Sequence, residues 1–482
     1  MIRKMPFFLL CFISFTFNIH SQTDCVNGFA GIYPCNNIDL LSHIPVSTLA
    51  NNLGNPESSD SWGWTDPLTG NEYAIVAMTN STAFVDITDP INPTFLGRID
   101  TETSTSFWRD VKVYNNHAFI VADNLGSHGM QVFDLTRLRN VSNPPVTFNE
   151  DTLYSSVGSC HNIVINESEG YAYLVGCNTF SGGVHFVDIS NPTNPTDAGG
   201  YSAEGYTHDA QVITYNGPDT EHVGKEILIG CNENKVVILD VTDKNNVVKI
   251  SDIIYPQIGY THQGWFTDDQ RYFIFGDETD EINFGINTRT LVFDFADLDN
   301  PVESSTYFGP SVAIDHNGYV LGNEFYLASY RAGFRLLDIS NIQTPSNSIS
   351  EIGFFDTYPD NDNTAFNGAW SIYPYFASGN IVVSDIDRGL FVLKKNQTLS
   401  TGDVLTDSNI SMSPNPAHSF TTLESPENIS IKAVSVYNNL GQMVFSESNI
   451  ETNSYRLSTA MLNSGLYIIK INDSLSKKLI IH

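Results

Sequence analysis

The chain is predicted to be all-β: a seven-bladed β-propeller followed by a small immunoglobulin-like β-sandwich. Three observations carry this. A short strand ending in aspartate recurs at propeller-blade spacing, no helical periodicity competes across the repeat region, and residues 410–482 switch to a separate run of strands.

The chain opens on an export leader. Arg3 and Lys4 make a positive start, Phe7 to Phe17 form an apolar stretch, and Ile19-His20-Ser21 offers a small residue for cleavage before Gln22. Residues 1–21 are read as a signal peptide, too short for a membrane anchor. No later stretch reaches 18 apolar residues, so no transmembrane segment is expected in the mature protein. Beyond Cys11 in the leader, the cysteines are Cys25, Cys35, Cys160, Cys177 and Cys231, an odd set for an oxidising compartment. Residues 22–60 form an N-terminal segment in which Cys25 and Cys35 flank a glycine-containing turn and are expected to pair.

Residues 61–396 carry the repeat. Its marker strand reads Phe84-Val85-Asp86, Val132-Phe133-Asp134, Phe186-Val187-Asp188, Ile238-Leu239-Asp240, Val292-Phe293-Asp294 and Leu336-Leu337-Asp338, with aspartates 48, 54, 52, 54 and 44 residues apart. A seventh unit ends in Leu390-Phe391-Val392-Leu393, with Lys394 in the aspartate's place. Each unit has a polar-opening first strand, a second strand such as Tyr171–Val175, the marker strand and an outgoing strand. That is one four-stranded blade. Closing blades into a ring removes exposed sheet edges. The repeated aspartates are expected to accept hydrogen bonds from the next turn's backbone, which makes them architectural.

Function in such a ring sits where inner strands and their loops surround the central channel. Aligned blade starts place Arg109, His161, His208, His262, His316 and Asn367 at equivalent depth, followed by Asp110, Asn162, Asp209, Gln263, Asn317 and Gly368. The first blade starts differently, with Trp62-Gly63-Trp64. Second-strand ends return Met78, Asp123, Cys177, Cys231, Asp277 and Asp385 to the same rim, and loops add Glu278, Asp280, Glu281, Asp387 and Arg388.

Three readings of this mouth are open. A divalent metal ion would be held by His161, His208, His262 and His316 with carboxylate help. A polar ligand pocket would use Arg109 against an anionic group and Trp62, Trp64 and Trp370 against a sugar or peptide, with Asp110, Asp209 and Asp277 beside them. Alternatively, the histidines satisfy backbone groups and water in a narrow channel. The chain lacks a His-Glu-x-x-His pair, a Gly-x-Ser-x-Gly elbow, a P-loop and a dinucleotide fingerprint, so no catalytic residue is assigned. If 162–166 and 171–176 form a hairpin, Cys160 and Cys177 fall opposite each other; Cys177 and Cys231, equivalent in adjacent blades, are the rival pair.

Residues 397–409 are a polar linker. Beyond it, strands are expected at Phe420–Leu423, Ile431–Tyr437, Met443–Ser446, Tyr455–Leu457, Leu466–Ile471 and Lys478–Ile481. The net charge of −31 falls almost wholly on the segment before this tail, whose five acidic and five basic side chains cancel. So acidic a surface repels nucleic acid and anionic membranes.

Two resemblances follow. The run Pro414-Asn415-Pro416-Ala417, then Val436-Tyr437-Asn438-Asn439-Leu440-Gly441-Gln442, then Leu462 to Lys470, and the ending Lys478-Leu479-Ile480-Ile481 resemble the type IX secretion sorting domain over residues 410–482. The terminal His482 departs from the basic residue common there. This resemblance implies the type IX secretion machinery as partner, passage through the periplasm and outer membrane, removal of the tail, and release or attachment at the surface. The segment Cys25 to Cys35, Trp62-Gly63-Trp64, Trp108 to Lys112, Thr207 to Gln211, Tyr260 to Trp265 and Asp315-His316-Asn317 resemble the choice-of-anchor B family over residues 22–396. That family's propellers are related to the LVIVD repeat, and the resemblance implies no reaction or ligand. The leading expectation is a secreted or cell-surface binding module without enzymatic activity, taking a glycan, peptide or metal at the channel mouth. The alternative is an extracellular metal-dependent hydrolase or lyase.

Overall fold

The computed structural model describes residues 22–50, 56–396, 410–425, 430–438, 443–471 and 475–481. The leader at 1–21 and the linker at 397–409 lie outside the described residues. Two compact units divide the chain, Met1–Asn396 and Gln397–His482.

The first unit is all-β, its sheets built from consecutive short strands. Among the described residues, seven sheets of this unit each begin with one strand: β1 (Ser58–Thr65), β2 (Arg109–Tyr114), β3 (Asn162–Asn166), β4 (Asp209–Thr214), β5 (Thr261–Phe266), β6 (Gly318–Leu321) and β7 (Ala369–Tyr373). Each of these pairs antiparallel with the strand that follows it. Their order in space is cyclic: β1 lies against β2, each against the next, and β7 against β1.

Polar side chains stitch neighbouring first strands. Asp110 accepts from Ile163 N (2.8 Å), Asn162 donates to His208 O (3.2 Å), Gln211 accepts from Phe266 N (2.8 Å), and Gln263 bonds both the N–H and the carbonyl of Gly318 (2.8 and 3.1 Å). Ser58 Oγ donates to Asp385 O (2.5 Å), fastening the last sheet to the first. Asn162 and Gln263, each one residue after a histidine, therefore spend their side chains on the neighbouring strand's backbone, which is how buried polar groups are kept satisfied.

The second strands are buried on both faces, and Glu72–Met78, Tyr272–Asp277 and Asn380–Asp385 are enclosed along their whole length. Their apolar runs, such as Ala74-Ile75-Val76-Ala77-Met78, fill the space between sheets. Each fully buried Val, Ile or Phe adds about 1.5–3 kcal/mol.

Each marker aspartate accepts from the backbone N–H two residues on: Asp86 from Thr88, Asp134 from Thr136, Asp188 from Ser190, Asp240 from Thr242, Asp294 from Ala296 and Asp338 from Ser340, at 2.8–3.1 Å. These are Asx turns that end the strand and start the connection outward.

The N-terminal segment is not separate from the sheets. Ile38–Ile44 is the fourth strand of the last sheet, paired with Gly389–Lys395, and Tyr33–Asn36 extends the sixth sheet against Ser350–Phe355. The beginning of the chain thus completes sheets formed from its end, a pairing across some 350 residues that local periodicity cannot reveal.

Cys25 and Cys35 are bonded, with Cα atoms 6.0 Å apart. Cys160 and Cys177 are also bonded, because Asn166 pairs with Tyr171 in the hairpin between them. The rival pairing of Cys177 with Cys231 is thereby excluded, and Cys231 is a buried free thiol.

The second unit holds a three-stranded sheet (Ser411–Ser413, Phe420–Glu424, Ser454–Ser458) and a four-stranded sheet (Ile431–Asn438, Met443–Thr452, Gly465–Ile471, Leu475–Ile481). They share one core containing Leu423, Val434, Val436, Leu457, Ile469 and Leu479. Among the described residues no helix is long and apolar enough to cross a membrane.

Candidate functional site

The starts of the first strands bring His161, His208, His262 and His316 into one arc, with ring centroids 4.3, 4.5 and 4.3 Å apart in succession, and the Trp370 indole continues it 4.6 Å beyond His316. They line a cavity of 290 Å³ together with Glu278 and the aromatic side chains Phe107, Trp108, Tyr330 and Phe366.

Backbone geometry permits this crowding. Gly368 has a left-handed φ of 92°, and a Cβ there would meet the Tyr330 carbonyl at 2.3 Å; a Cβ on Gly176 would meet that of His161 at 2.5 Å.

Hydrogen bonds orient the rings. His316 Nδ1–H donates to the Trp370 carbonyl (2.6 Å), and His208 Nδ1 faces the His262 carbonyl at 3.4 Å, so each presents Nε2 inward. His161 Nδ1 is held by Asp123 (2.9 Å), which also accepts from Ser159 Oγ (2.9 Å) and Asn124 N (2.6 Å). His262 Nδ1 is buried without a partner.

Glu278 sits opposite. Its carboxylate lies 3.8 Å from His262 Nε2 and 3.6 Å from His316 Nε2, and it accepts from Tyr330 Oη at 2.7 Å. The contacts to the histidines are too long for hydrogen bonds. Lone pairs of His208, His262 and Glu278 come within 4.8 Å of one another. Burial, reinforced by the neighbouring imidazoles, depresses His208 and His262 well below the usual imidazole value, and burial brings His316 down to about 3. Burial also raises Glu278 to about 7, against the pull of the Tyr330 hydroxyl. His208, His262 and His316 are thereby held as neutral imidazoles offering lone pairs, with no ammonium or guanidinium in the lining.

The other expected site residues lie elsewhere. Arg109 is fully enclosed, donating to Thr101 Oγ1 (2.9 Å) and facing His128 Nε2 (3.2 Å), and burial lowers it to about 10; it does not reach the mouth. Asp110 joins Asp60 around the buried Lys112 ammonium (2.5 and 2.8 Å). Asp209 is buried one residue beyond the histidine arc, where enclosure raises it to about 7. Asp277 is enclosed and accepts from Tyr255 Oη, Gly259 N and Tyr260 N, so it braces a loop.

Trp64 is buried against Tyr73 and donates to Asn116. Trp62 lines a different cavity, formed by the far halves of the first strands. Successive strand residues point to opposite faces, which takes Asp110 and Asp209 out of the site; Arg109 stands at the aligned position but is drawn to Thr101 and His128, and Trp62 lies further along its strand. Tyr330, Phe107, Trp108 and Phe366 were not singled out from sequence, because aromatics outside the aligned positions read as core.

Comparison with known proteins finds LVIVD repeats at residues 68–101 and 158–203 and a secretion system C-terminal sorting domain at residues 411–482. No curated protein matches the chain. Two similar solved structures are PorZ, described as an essential bacterial surface component of the type IX secretion system of Porphyromonas gingivalis, and a protein from Lactobacillus plantarum. PorZ is 12% identical with a TM-score of 0.44, over 86% of this chain and 58% of PorZ, so the chain spans little more than half of that protein. The Lactobacillus protein is 10% identical with a TM-score of 0.45, over 84% of this chain and 99% of the other. The chain is therefore a β-propeller-like protein with LVIVD repeats, whose sorting domain engages type IX secretion and directs it to the cell surface or the surrounding medium.

Proposed function

We propose that the chain is a non-enzymatic binding module on a seven-bladed β-propeller, of the choice-of-anchor B kind, whose ligand enters the histidine-lined mouth. Seven sheets in cyclic contact and the Cys25–Cys35 segment support that architecture. The tail's two sheets around one core support an immunoglobulin-like sandwich.

One observation carries the binding reading. His208, His262 and Glu278 bring ligand atoms within 4.8 Å of one another with no side-chain hydrogen bond between them, Glu278 lying 3.8 Å from His262 Nε2 and 3.6 Å from the neighbouring His316 Nε2. Ligands about 2.1 Å from a tetrahedral ion lie roughly 3.4 Å apart. The arrangement fits a divalent transition-metal ion held by His208, His262 and Glu278, with His316 beside them. An ion held there would supply a coordination site for a peptide or glycan donor atom in a cavity also lined by Phe107, Trp108, Tyr330, Phe366 and Trp370.

Elemental analysis of untagged protein should find about one equivalent of metal, lost in His208→Ala with His262→Ala and in Glu278→Gln. Metal-free wild-type protein whose melting temperature does not respond to added zinc, nickel or manganese would overturn the reading.

A second reading, metal-dependent hydrolysis, is favoured by the Asp123–His161 pair, which leaves His161 Nε2 free in the cavity as a base. Turnover of chromogenic esters, amides or glycosides that disappears in His161→Ala while metal is retained would establish it.

A further inference from the structure

A second cavity, of 440 Å³, is formed by the far halves of β2, β3, β4 and β5, so it lies at the other end of the first strands from the histidine arc. Its volume is within the range of small-ligand sites, about 300–1,000 Å³.

Two half-buried indoles, Trp62 and Trp265, form part of its wall. Both are held in place: Trp62 meets Tyr319 and Tyr373 edge-on (5.7 and 5.1 Å), and Trp265 meets Tyr319 at 5.0 Å. Aromatic surfaces fixed before binding cost little conformational entropy when a ligand arrives.

The charge in the wall restricts what fits. Lys112 is the cation there, and Asp60 and Asp110 already hold its ammonium at 2.8 and 2.5 Å, so an anion finds no unspent partner. Glu167 is the single carboxylate, exposed at the rim. The remaining polar groups are amides and hydroxyls. Gln211 accepts from Phe266 N through Oε1, which leaves its Nε2 to donate. In the same lining Ser168 Oγ bonds Asn166 and Thr214, and Gln270 accepts from Asn216 N and reaches the Thr214 carbonyl at 3.5 Å, which leaves Ser168 Oγ a lone pair and Gln270 Nε2 an N–H for a ligand. A purely apolar ligand would strand Gln211 Nε2 at a cost of about 1–3 kcal/mol. What remains is a neutral molecule with apolar C–H faces and many hydroxyls.

We propose that this cavity binds a neutral oligosaccharide, with sugar C–H faces against Trp62 and Trp265 and hydroxyls on Gln211, Gln270 and Ser168. The site is independent of the metal reading of the mouth.

The test titrates the full-length mature protein with hexasaccharides of β-1,4- and β-1,3-linked glucose, α-1,4-linked glucose, xylose, mannose and N-acetylglucosamine, read by calorimetry and indole fluorescence. At least one is expected to bind with a stoichiometry of one. Trp265→Ala and the rim variant Gln270→Ala should each weaken it by about tenfold or more, while His208→Ala leaves it unchanged. Melting curves establish that each variant is folded, and Gln270→Ala keeps the test open should Trp265→Ala not fold. Absence of binding by all six sugars at millimolar concentration overturns the proposal. So does binding that survives Trp265→Ala and Gln270→Ala, or binding that only His208→Ala abolishes.

Discussion

Asp385 is enclosed at the inner end of the last sheet, with Oδ1 accepting from Asp387 N (3.0 Å) and Arg388 N (2.9 Å) and Oδ2 unpartnered. Burial, the largest influence, raises it to about 7. A carboxyl raised in the folded state contributes stability that is complete below its unfolded value near 4 and is lost as pH rises through 7. Wild-type protein should therefore lose stability between pH 4 and 7 by an amount on the order of a few kcal/mol from this group. Asp385→Asn should flatten that slope in urea titrations across the range. An unchanged slope would show that the charge is matched in the folded protein.

The same burial logic separates the histidines from Arg109. All five stand at the starts of first strands, but His161 to His316 line the shared cavity, whereas the Arg109 guanidinium finds Thr101 and His128 inside. Residue type and alignment made the arc legible. The direction of each side chain depends on register and on neighbours far away in sequence.

Strands were the readable elements. The marker aspartates were visible as a period, and their role was predictable because a carboxylate two residues before a free N–H closes a turn unaided. Asp338→Ala should cost about 1 kcal/mol, measured as a lower urea midpoint with unchanged slope, and Ser340 N is the donor left without its partner. The Cys160–Cys177 bond was likewise one of two options until the hairpin register brought the two together. The short strand Ser411–Ser413 was not among the expected strands, since three residues carry no period of their own.

The cyclic contact between sheets belongs to the first unit taken as a whole. Ile38–Ile44 covers the edge of Gly389–Lys395, so a variant of the mature protein starting at Pro45 would expose a row of unpaired backbone groups. It should melt lower than the full mature chain and self-associate in light scattering. Equal melting and a monodisperse solution would show that the strand is dispensable.

By itself the sequence determined the sorting domain, the all-β class, the repeat and the alignment of the four histidines, because each depends on neighbours close in the chain or on composition. Only the tertiary structure decided that the N-terminal segment completes the last sheets, that Glu278 and Tyr330 face the histidines, and that Trp62 belongs to the opposite cavity. Those facts rest on which way side chains point once distant strands pack, and packing is a property of the assembled ring.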